Sequence, residues 1–359
     1  MKILFYLGHP AHFHLFKNVI HNLKEKGHLV DILIKNKEIL EELLIGTKWS
    51  YLNILPKRRS NNKFSIVKSM LICDWRVFQK ARINRFDIMI GTSAEISHIG
   101  KLLCIPSIVV NEEDSSIVPL FAKAAYPWAS YILAPNCSEV GKWHKKKIGY
   151  EGYHELAYLH PNYFKPERNL IKQLFDGMKK YFILRLVKQG AHHDSGRQGI
   201  TSDIVAKLLE MLLPHGKVYI TSERELEREF KQYQINIDPD IMHHALYFAD
   251  MYIGDSQTMA AEAAVLGTPS IRFNDFVGDI GYLEELENRY GLTFGIRTSG
   301  KENLFRKVNE LLNNNSFKDD LQKRRIRMLQ DKIDVTAFIT WLIDNYPKSV
   351  RIMKKTPVT

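Results

Sequence analysis

Hydrophobic residues occur along the chain in two alternating patterns. Short apolar runs, such as residues 2–7 and 107–110, are typical of buried strands. Other stretches, such as residues 94–103, repeat apolar residues every three or four positions, which is typical of amphipathic helices. Strands that alternate with helices favour a parallel sheet with helices on both faces. The pattern therefore predicts an α/β protein of the doubly wound kind.

The alternation occurs twice, and an irregular segment separates the two halves. Residues 150–167 follow neither period and contain prolines, so we place the exit from the first domain there. A chain of 359 residues also exceeds the usual size of a single core. We predict an N-terminal domain over 1–165, a C-terminal domain over 166–335, and a last helix and tail over 336–359 that pack back toward the N-terminal domain. The final long helix is predicted over 317–345.

The most informative pattern lies in residues 247–273, which predict a strand, a polar turn, a helix and a second strand. Asp255 and Ser256 are turn or N-cap residue types, and Gly267 with Pro269 ends the helix. Such a unit places the first amides of a helix, at the positive end of its dipole, beyond the carboxyl end of a parallel strand. Phosphates bind at that edge of open α/β sheets.

Glu262 lies inside the predicted helix, near its start. A carboxylate there could accept two hydrogen bonds from a sugar diol while the amides around Gln257 and Thr258 hold a diphosphate. This stretch is therefore predicted to form half of a nucleotide-sugar site. The alternative is that Asp255 and Ser256 only cap the helix and that Glu262 faces solvent.

The first strand-to-helix turn contains histidines where a dinucleotide site would have glycines. Residues 8–14 lack the Gly-x-Gly-x-x-Gly fingerprint and contain His12 and His14 instead. Histidine suits general-base catalysis because its pKa lies near neutral pH. His12 is the first candidate base and His14 the second. The alternative is that one or both histidines cap the helix.

Other polar residues follow predicted strands. Glu112 and Glu113 belong to an acidic segment, 111–114, and are candidates for the acceptor side, although most such runs are solvated loops. The polar loop 188–196 contains a histidine pair, but the absence of a His-x-x-x-His spacing leads us to expect no metal site. Four further residues of this half are candidates for donor binding: Arg185, His193, Ser222 and Glu223.

The cysteine content and the length of the apolar stretches indicate the cellular compartment. The three cysteines are odd in number and far apart, which is typical of a reducing compartment rather than a disulfide framework. No apolar stretch reaches the length of a membrane span or of a signal-peptide core. We therefore expect a cytoplasmic protein.

The net charge of +11 predicts acidic partners, but the charge is spread along the chain, so nucleic acid is not expected. Basic clusters lie at 57–59, 142–147 and 351–355. Residues 63–85 interleave Lys and Arg with apolar side chains such as Leu71, a pattern that could lie on an anionic bilayer at the inner face of the cell membrane. The alternative is an amphipathic core helix with a basic solvent face.

Five segments together resemble domain-of-unknown-function family 354, whose members are described only as predicted glycosyltransferases of bacteria and archaea. The resemblance covers nearly the whole chain and is most specific in the last of these segments: 8–17, 23–28, 190–194, 220–226 and 253–269. It implies the GT-B fold, with two Rossmann-like doubly wound domains that face a central cleft.

Two better understood families are similar in part. The peptidoglycan N-acetylglucosaminyltransferase has a comparable Gly-His turn, and the similarity implies that His12 activates the acceptor and that Glu262 holds the donor ribose. UDP-N-acetylglucosamine 2-epimerases share the Asp-Ser turn and the Glu-Ala-x-x-Leu-Gly-x-Pro pattern of residues 262–269. They differ at Gln257 and Thr258, where they have glycines, and in an N-terminal arginine that this chain lacks.

These resemblances imply a metal-independent and inverting glycosyltransferase. It would move a sugar from a nucleotide-sugar donor, UDP-linked in our prediction, to a saccharide or lipid-linked acceptor in surface polysaccharide or glycolipid biosynthesis. We expect no cofactor, because the nucleotide-sugar is a substrate. The alternatives are a UDP-N-acetylglucosamine 2-epimerase or hydrolase, and a catalytically inactive nucleotide-sugar-binding protein.

Overall fold

A computed structural model describes residues 1–35, 38–55, 63–175, 180–188, 199–314 and 316–355. The chain forms two compact units. Unit 1 comprises Met1–Tyr158 and Ile333–Thr359, and unit 2 comprises Leu159–Lys332. The chain therefore leaves unit 1 after its seventh strand and returns to it for its last two helices.

The helices and strands alternate along the chain as the sequence predicts. In order they are β1 (Lys2–Leu7), α1 (Pro10–Glu25), β2 (Leu29–Lys35), α2 (Glu38–Thr47), β3 (Tyr51–Leu55), α3 (Lys63–Asn84), β4 (Ile88–Gly91), α4 (Ala94–Leu103), β5 (Ser107–Val110), α5 (Pro119–Ala125), β6 (Tyr131–Pro135), β7 (Lys147–Tyr150), α6 (Leu156–Leu159), β8 (Tyr181–Leu186), α7 (Ser202–Leu212), β9 (Lys217–Ser222), α8 (Met242–Phe248), β10 (Met251–Gly254), α9 (Gln257–Leu266), β11 (Ser270–Phe273), α10 (Gly281–Asn288), β12 (Phe294–Ile296), α11 (Lys301–Leu312), α12 (Phe317–Asp331), α13 (Val335–Asp344) and α14 (Lys348–Lys355).

Unit 1 contains a seven-stranded parallel sheet in the order β3-β2-β1-β4-β5-β6-β7. The chain runs outward from β1 to β3 and then crosses back to β4, on the other side of β1. Because parallel crossovers are right-handed, α1 and α2 cover one face, and α3, α4 and α5 cover the other. Buried apolar residues of α3, α4 and α5 pack on the strands beneath them. The switch point of the sheet lies between β1 and β4.

Unit 2 contains a five-stranded parallel sheet in the order β12-β11-β10-β8-β9. The chain runs from β8 to β9 and then crosses to β10, on the other side of β8. The switch point of this sheet therefore lies between β8 and β10. The predicted fold class is confirmed, since both units are doubly wound parallel α/β structures.

The strand that follows each switch ends in glycine because its neighbours leave no room for a side chain. A Cβ added at Gly91 would collide with the carbonyl oxygen of Tyr6, and one added at Gly254 would collide with the hydroxyl of Tyr252. The first strand after the crossover is therefore packed tightly at the edge where polar side chains gather.

The single long helix predicted over 317–345 is wrong, because the segment forms two helices, α12 and α13. Between them the amide of Ile333 donates to the carbonyl oxygen of Glu151 at 2.8 Å. Asp334 then caps α13 with its side chain. The backbone bond to a distant part of unit 1 interrupts the helix without changing its apolar period.

Within the described ranges, no helix combines the length and the hydropathy that a membrane span requires.

Candidate functional site

The candidate site of unit 2 lies where β10 meets α9. β10 ends at Gly254, Asp255 and Ser256 form the turn, and α9 begins at Gln257. The Ser256 hydroxyl accepts a hydrogen bond from the amide of Met259 at 3.4 Å and so caps the helix. The first amides of α9 therefore lie at the carboxyl edge of the sheet, at its switch point. No acidic residue lies in the first turn of α9.

Asp255 is buried, and its carboxylate holds the turn in place by hydrogen bonds. One carboxylate oxygen accepts from the amide of Val187 at 2.8 Å and the other from the amide of Ile200 at 3.4 Å. Burial raises the pKa of Asp255 to about 6, and these amides together with Arg224 limit the increase. The side chain thus ties the end of β8 and the segment before α7 to the turn, and its direct contact with a donor stays a prediction.

Gln257 and Thr258 occupy the first turn of α9. The Gln257 amide group donates to the side-chain oxygen of Asn274, just after β11, at 3.0 Å. Its carbonyl oxygen is buried and has no hydrogen-bond partner among the residues that the structure describes. Thr258 is half-buried. Gln257 therefore braces α9 against the neighbouring strand.

Glu262 is buried rather than solvated, so the alternative of a solvent-facing glutamate is excluded. Only 6% of the residue is exposed, and one carboxylate oxygen lies 3.0 Å from Nε2 of His243 on α8. His243 is equally buried, and the ring of Phe164 contacts it edge-on. The imidazole thus fixes the orientation of the carboxylate.

The neighbouring histidines of α8 have different partners, as expected for adjacent residues on a helix. His243 contacts Glu262, whereas Nδ1 of His244 accepts from the amide of Glu167 at 2.9 Å. Within the described ranges, no three His, Cys, Asp or Glu side chains are grouped so as to hold a metal ion.

Three other predicted donor residues lie at the carboxyl edge of the same sheet. Arg185 of β8 forms an ion pair with Glu223, which follows β9, and its Nε has no hydrogen-bond partner in the described part of the chain. Ser222 closes a local turn by accepting from the amide of Arg224 at 3.1 Å. The structure therefore brings these residues to the edge where α9 begins. His193 and most of the polar loop 188–196 lie outside the described residues.

In unit 1, the two candidate bases lie at the start of α1, which follows β1. Nδ1 of His12 accepts a hydrogen bond from the amide of Gly8 at 3.1 Å. In the neutral ring, the proton then resides on Nε2. His14 instead packs on the ring of Tyr158, with 5.3 Å between ring centroids. The helix is capped by His9, not by either candidate.

The acidic segment that follows β5 forms hydrogen bonds with neighbouring segments of unit 1. The Glu112 carboxylate accepts from the amide of His154 at 3.1 Å and lies 3.4 Å from Nδ1 of the same residue. Asp114 is buried and accepts from the amide of Glu139. The backbone carbonyl of Glu113 accepts from Asn111. The interpretation as a solvated loop is therefore wrong for most of the segment, and the acceptor-side role of Glu112 and Glu113 stays a prediction.

An ion pair between a half-buried lysine and a buried glutamate, at the switch point of unit 1, is not predicted by any sequence pattern. Glu95, in the first turn of α4, accepts from Nζ of Lys35 at 2.5 Å and from the hydroxyl of Ser93. Burial favours a higher pKa for Glu95, but the charge and hydrogen bond of Lys35 and the hydroxyl of Ser93 outweigh it and hold the pKa below its ordinary value. Tyr6 of β1 lies under the same ammonium group.

The family model described as "Protein of unknown function (DUF354)" matches residues 1–337. We find no significant match among curated proteins.

Three solved structures illustrate the similarity in fold. UDP-GlcNAc 2-epimerase from Neisseria meningitidis bound to UDP-GlcNAc has a TM-score of 0.68 at 14% identity, with 96% of this chain and 100% of that chain covered. The S. aureus MnaA–UDP complex has a TM-score of 0.69 at 14% identity, with 98% of each chain covered. Spinosyn rhamnosyltransferase SpnG complexed with spinosyn aglycone has a TM-score of 0.60 at 14% identity, with 96% and 100% covered. These enzymes have the GT-B fold, which confirms the predicted fold family.

Proposed function

This chain belongs to the DUF354 family, and from that premise we propose that it is a nucleotide-sugar-dependent glycosyltransferase. The observation that carries the proposal is the start of α9. Its first amides lie at the switch point of a parallel sheet, and the same helix contains a buried carboxylate, Glu262, which His243 orients.

The proposed donor is UDP-linked, because the Neisseria epimerase structure contains UDP-GlcNAc and the MnaA structure contains UDP. Its diphosphate would accept hydrogen bonds from the amides of Gln257 and Thr258, where the helix dipole favours negative charge. Arg185 would add positive charge from the neighbouring strand. The carboxylate of Glu262 would accept hydrogen bonds from the two ribose hydroxyls. Each of these groups acts on the donor alone, so donor binding can be tested without an acceptor.

In the proposed reaction, an acceptor hydroxyl oxygen attacks the anomeric carbon of the sugar. The bond from that carbon to the diphosphate oxygen breaks, and its electron pair leaves with the nucleoside diphosphate. The amides of α9 would stabilise the charge that develops there, and one such donor contributes about 3 kcal/mol in well-studied enzymes. The acceptor would be a saccharide or a lipid-linked sugar, in keeping with a role in surface polysaccharide or glycolipid biosynthesis.

His12 is the proposed base that takes the acceptor proton, and His14 is the second candidate. The bond from Gly8 favours the tautomer with hydrogen on Nε2. For Nε2 to accept a proton, His12 must therefore give up that bond and hold its ring proton on Nδ1. Two variants separate the roles of base and hydrogen-bond donor. His12→Gln can still donate a hydrogen bond, whereas His12→Ala cannot. If His12 acts as a base, both variants should lose activity to the same extent. If His12 acts only as a hydrogen-bond donor, His12→Gln should retain most of the activity.

The test of the proposed function is release of nucleoside diphosphate from candidate UDP-sugars. We expect release that depends on the donor and falls by at least about tenfold in Glu262→Ala, because a hydrogen bond to a charged group contributes about 1.5–3 kcal/mol. Asn313→Ala, on the exposed end of α11, is the control. Unchanged rates in both Glu262→Ala and His12→Ala would refute the assignment.

A second reaction is favoured by one specific pattern. The Asp-Ser turn and residues 262–269 are shared with UDP-N-acetylglucosamine 2-epimerases. That reaction needs no acceptor, so proton NMR of UDP-N-acetylglucosamine with the protein alone would show a new sugar product. The transferase proposal predicts no epimerised product in the same experiment.

A further inference from the structure

The helical layer formed by α3, α4 and α5 in unit 1 exposes large apolar side chains to solvent. Leu71 and Trp75 of α3 are 61% and 59% exposed, Leu102 of α4 is 66% exposed, and Leu120 of α5 is 72% exposed. Trp128, just after α5, is 50% exposed. We call these five residues the apolar patch. Large apolar side chains exposed together on one helical layer can mark an interaction surface.

His98 connects the three helices that carry the apolar patch. Its Nδ1 lies 3.2 Å from the carboxylate of Asp74 on α3, and its Nε2 donates to the carbonyl oxygen of Ala124 on α5 at 2.9 Å. Its ring also contacts Trp128 edge-on.

The members of the apolar patch lie within one helical turn of these contacts. Leu71 and Trp75 flank Asp74, Leu120 precedes Ala124 by four residues, and Leu102 follows His98 by four residues. Residues four apart lie on the same side of a helix, so the patch extends outward from His98 on each of the three helices.

The charge around the apolar patch has a single sign. Among the described side chains of α3, α4 and α5, every exposed charged residue is a cation: Lys68, Arg76, Arg82, Lys101 and Lys123. The two carboxylates of these helices are paired, Asp74 with His98 and Glu95 with Lys35. The layer therefore presents tryptophan and leucine among uncompensated positive charges.

We propose that this layer is a docking surface for an anionic lipid bilayer. Apolar side chains that enter the interface, together with lysines that attract acidic headgroups, supply the two contributions that stable peripheral binding requires. Tryptophan is favoured at the level of the headgroups because its ring is largely apolar and its N–H is polar. An acidic protein partner would match the charges but would not require two exposed tryptophans with leucines on three separate helices.

This surface is independent of donor binding, although it bears on the proposed function. A protein docked on a bilayer would meet acceptors that are anchored in lipid rather than soluble saccharides. Failure of one proposal would leave the other standing, because vesicle binding and nucleotide binding are measured separately.

The test is co-sedimentation of the full chain with phosphatidylcholine vesicles that contain or lack phosphatidylglycerol, at low and high salt. We expect binding only to vesicles with the anionic lipid, weakened by salt. Trp75→Ser with Trp128→Ser should lower the binding constant about tenfold by removing buried apolar area. Lys101→Glu with Lys123→Glu should lower it about 25-fold, or about fivefold for each lysine.

Matched controls come from other exposed positions. Ile39→Ser with Ile45→Ser removes two exposed apolar residues from α2, on the opposite face of the same sheet, where they are 49% and 67% exposed. Lys323→Glu, on α12 of unit 2, changes the net charge without touching the apolar patch. These variants should bind vesicles as the wild type does, and all variants should retain UDP binding.

Three results would overturn the docking surface. The first is failure of the wild type to bind anionic vesicles. The second is vesicle binding by the patch variants that is as tight as that of the controls. The third is dissociation of an oligomer by the patch variants in sedimentation velocity, without a change in vesicle binding. The last result would show that the layer is instead an interface between copies of the chain.

Discussion

The turns that follow the two switch points resemble each other in geometry and differ in electrostatics. In unit 1, β4 ends in glycine and α4 is capped by Ser93. In unit 2, β10 ends in glycine and α9 is capped by Ser256. One buried carboxylate lies at each site: Glu95 in the first turn of α4, and Asp255 between β10 and α9. Burial favours a higher pKa for both, but the pKa of Glu95 is lowered and that of Asp255 is raised to about 6.

The partner of each carboxylate explains the difference. Glu95 has the ammonium group of Lys35, whereas Asp255 has two backbone amides as its direct partners. The position of the carboxylate also differs. Glu95 lies within the first turn of α4 and would repel a phosphate there, whereas the first turn of α9 contains no acidic residue. The first turn of α4 therefore has a carboxylate among its amides, whereas the first turn of α9 has none.

Among the variants that test this difference, Lys35→Met is expected to have the largest effect, a loss of stability in unit 1. It leaves Glu95, whose side chain is 4% exposed, buried without its cation. Loss of one partner from a buried pair costs about 3–5 kcal/mol, and we expect the lower end because Lys35 is itself 32% exposed. Hydrogen exchange in peptides from β1 and β2 would measure the loss of stability in unit 1 separately from unit 2.

Lys207→Met is the matched control for that variant. Lys207 and Glu210 form an exposed pair on α7, with side chains 45% and 69% exposed, and such pairs contribute little. Equal losses of stability in the two variants would contradict the role given to the buried pair.

Asp255→Asn is expected to change how the stability of unit 2 depends on pH. The pKa of Asp255 is raised from 3.8 to about 6, so folding favours the protonated form. Its contribution is complete below about pH 4 and is lost as the pH rises through about 6, a change of up to about 3 kcal/mol. Hydrogen exchange in peptides from β8 and β10, measured across this window, should show a loss in the wild type that the variant lacks.

Glu95→Gln is the counterpart in unit 1, and its sign is opposite. Because the pKa of Glu95 is lowered, its contribution to stability is present at neutral pH and is lost as the pH falls through the folded value.

If Asp255→Asn left the pH profile of unit 2 stability unchanged between pH 4 and 6, the buried environment assigned to the Asp255 carboxylate would be incorrect.

The turn of unit 2 could be predicted because its signals are local. Ser256, Gly267 and the short apolar run before them are adjacent in sequence, and each favours the same strand–turn–helix structure. The partners of the carboxylates could not be predicted, because Lys35 and Glu95 are 60 residues apart. The periodicity of hydrophobic residues does not indicate which residues are in contact over that separation in sequence.

One signal for the burial of Glu262 was present in the sequence. Alanines surround it at 260, 261, 263 and 264, so no side of the helix is polar near it. A glutamate in such a helix is buried and requires a partner. The identity of that partner, His243, depends on how α8 packs on α9 and could not be read from spacing.

The predicted amphipathic helix over residues 63–85 illustrates a different limit. The core-helix interpretation fits one side of the helix, because Cys73, Val77 and Ala81 pack in the core. Leu71 and Trp75 are exposed on another side, and contact of that side with a bilayer stays a prediction. Periodicity identifies two apolar sides of a helix but cannot say which one the sheet covers.

The most direct test of the central claim is calorimetric titration of UDP into wild type and Thr258→Glu. The variant places a carboxylate in the first turn of α9, as Glu95 is placed in α4, and Asn313→Glu on α11 is the control with the same change in charge. We predict UDP binding to wild type and control, and binding weakened at least tenfold, or about 1.4 kcal/mol, in Thr258→Glu. Equal UDP affinity in all three proteins, or no binding to any, would contradict the claim that this turn binds the diphosphate.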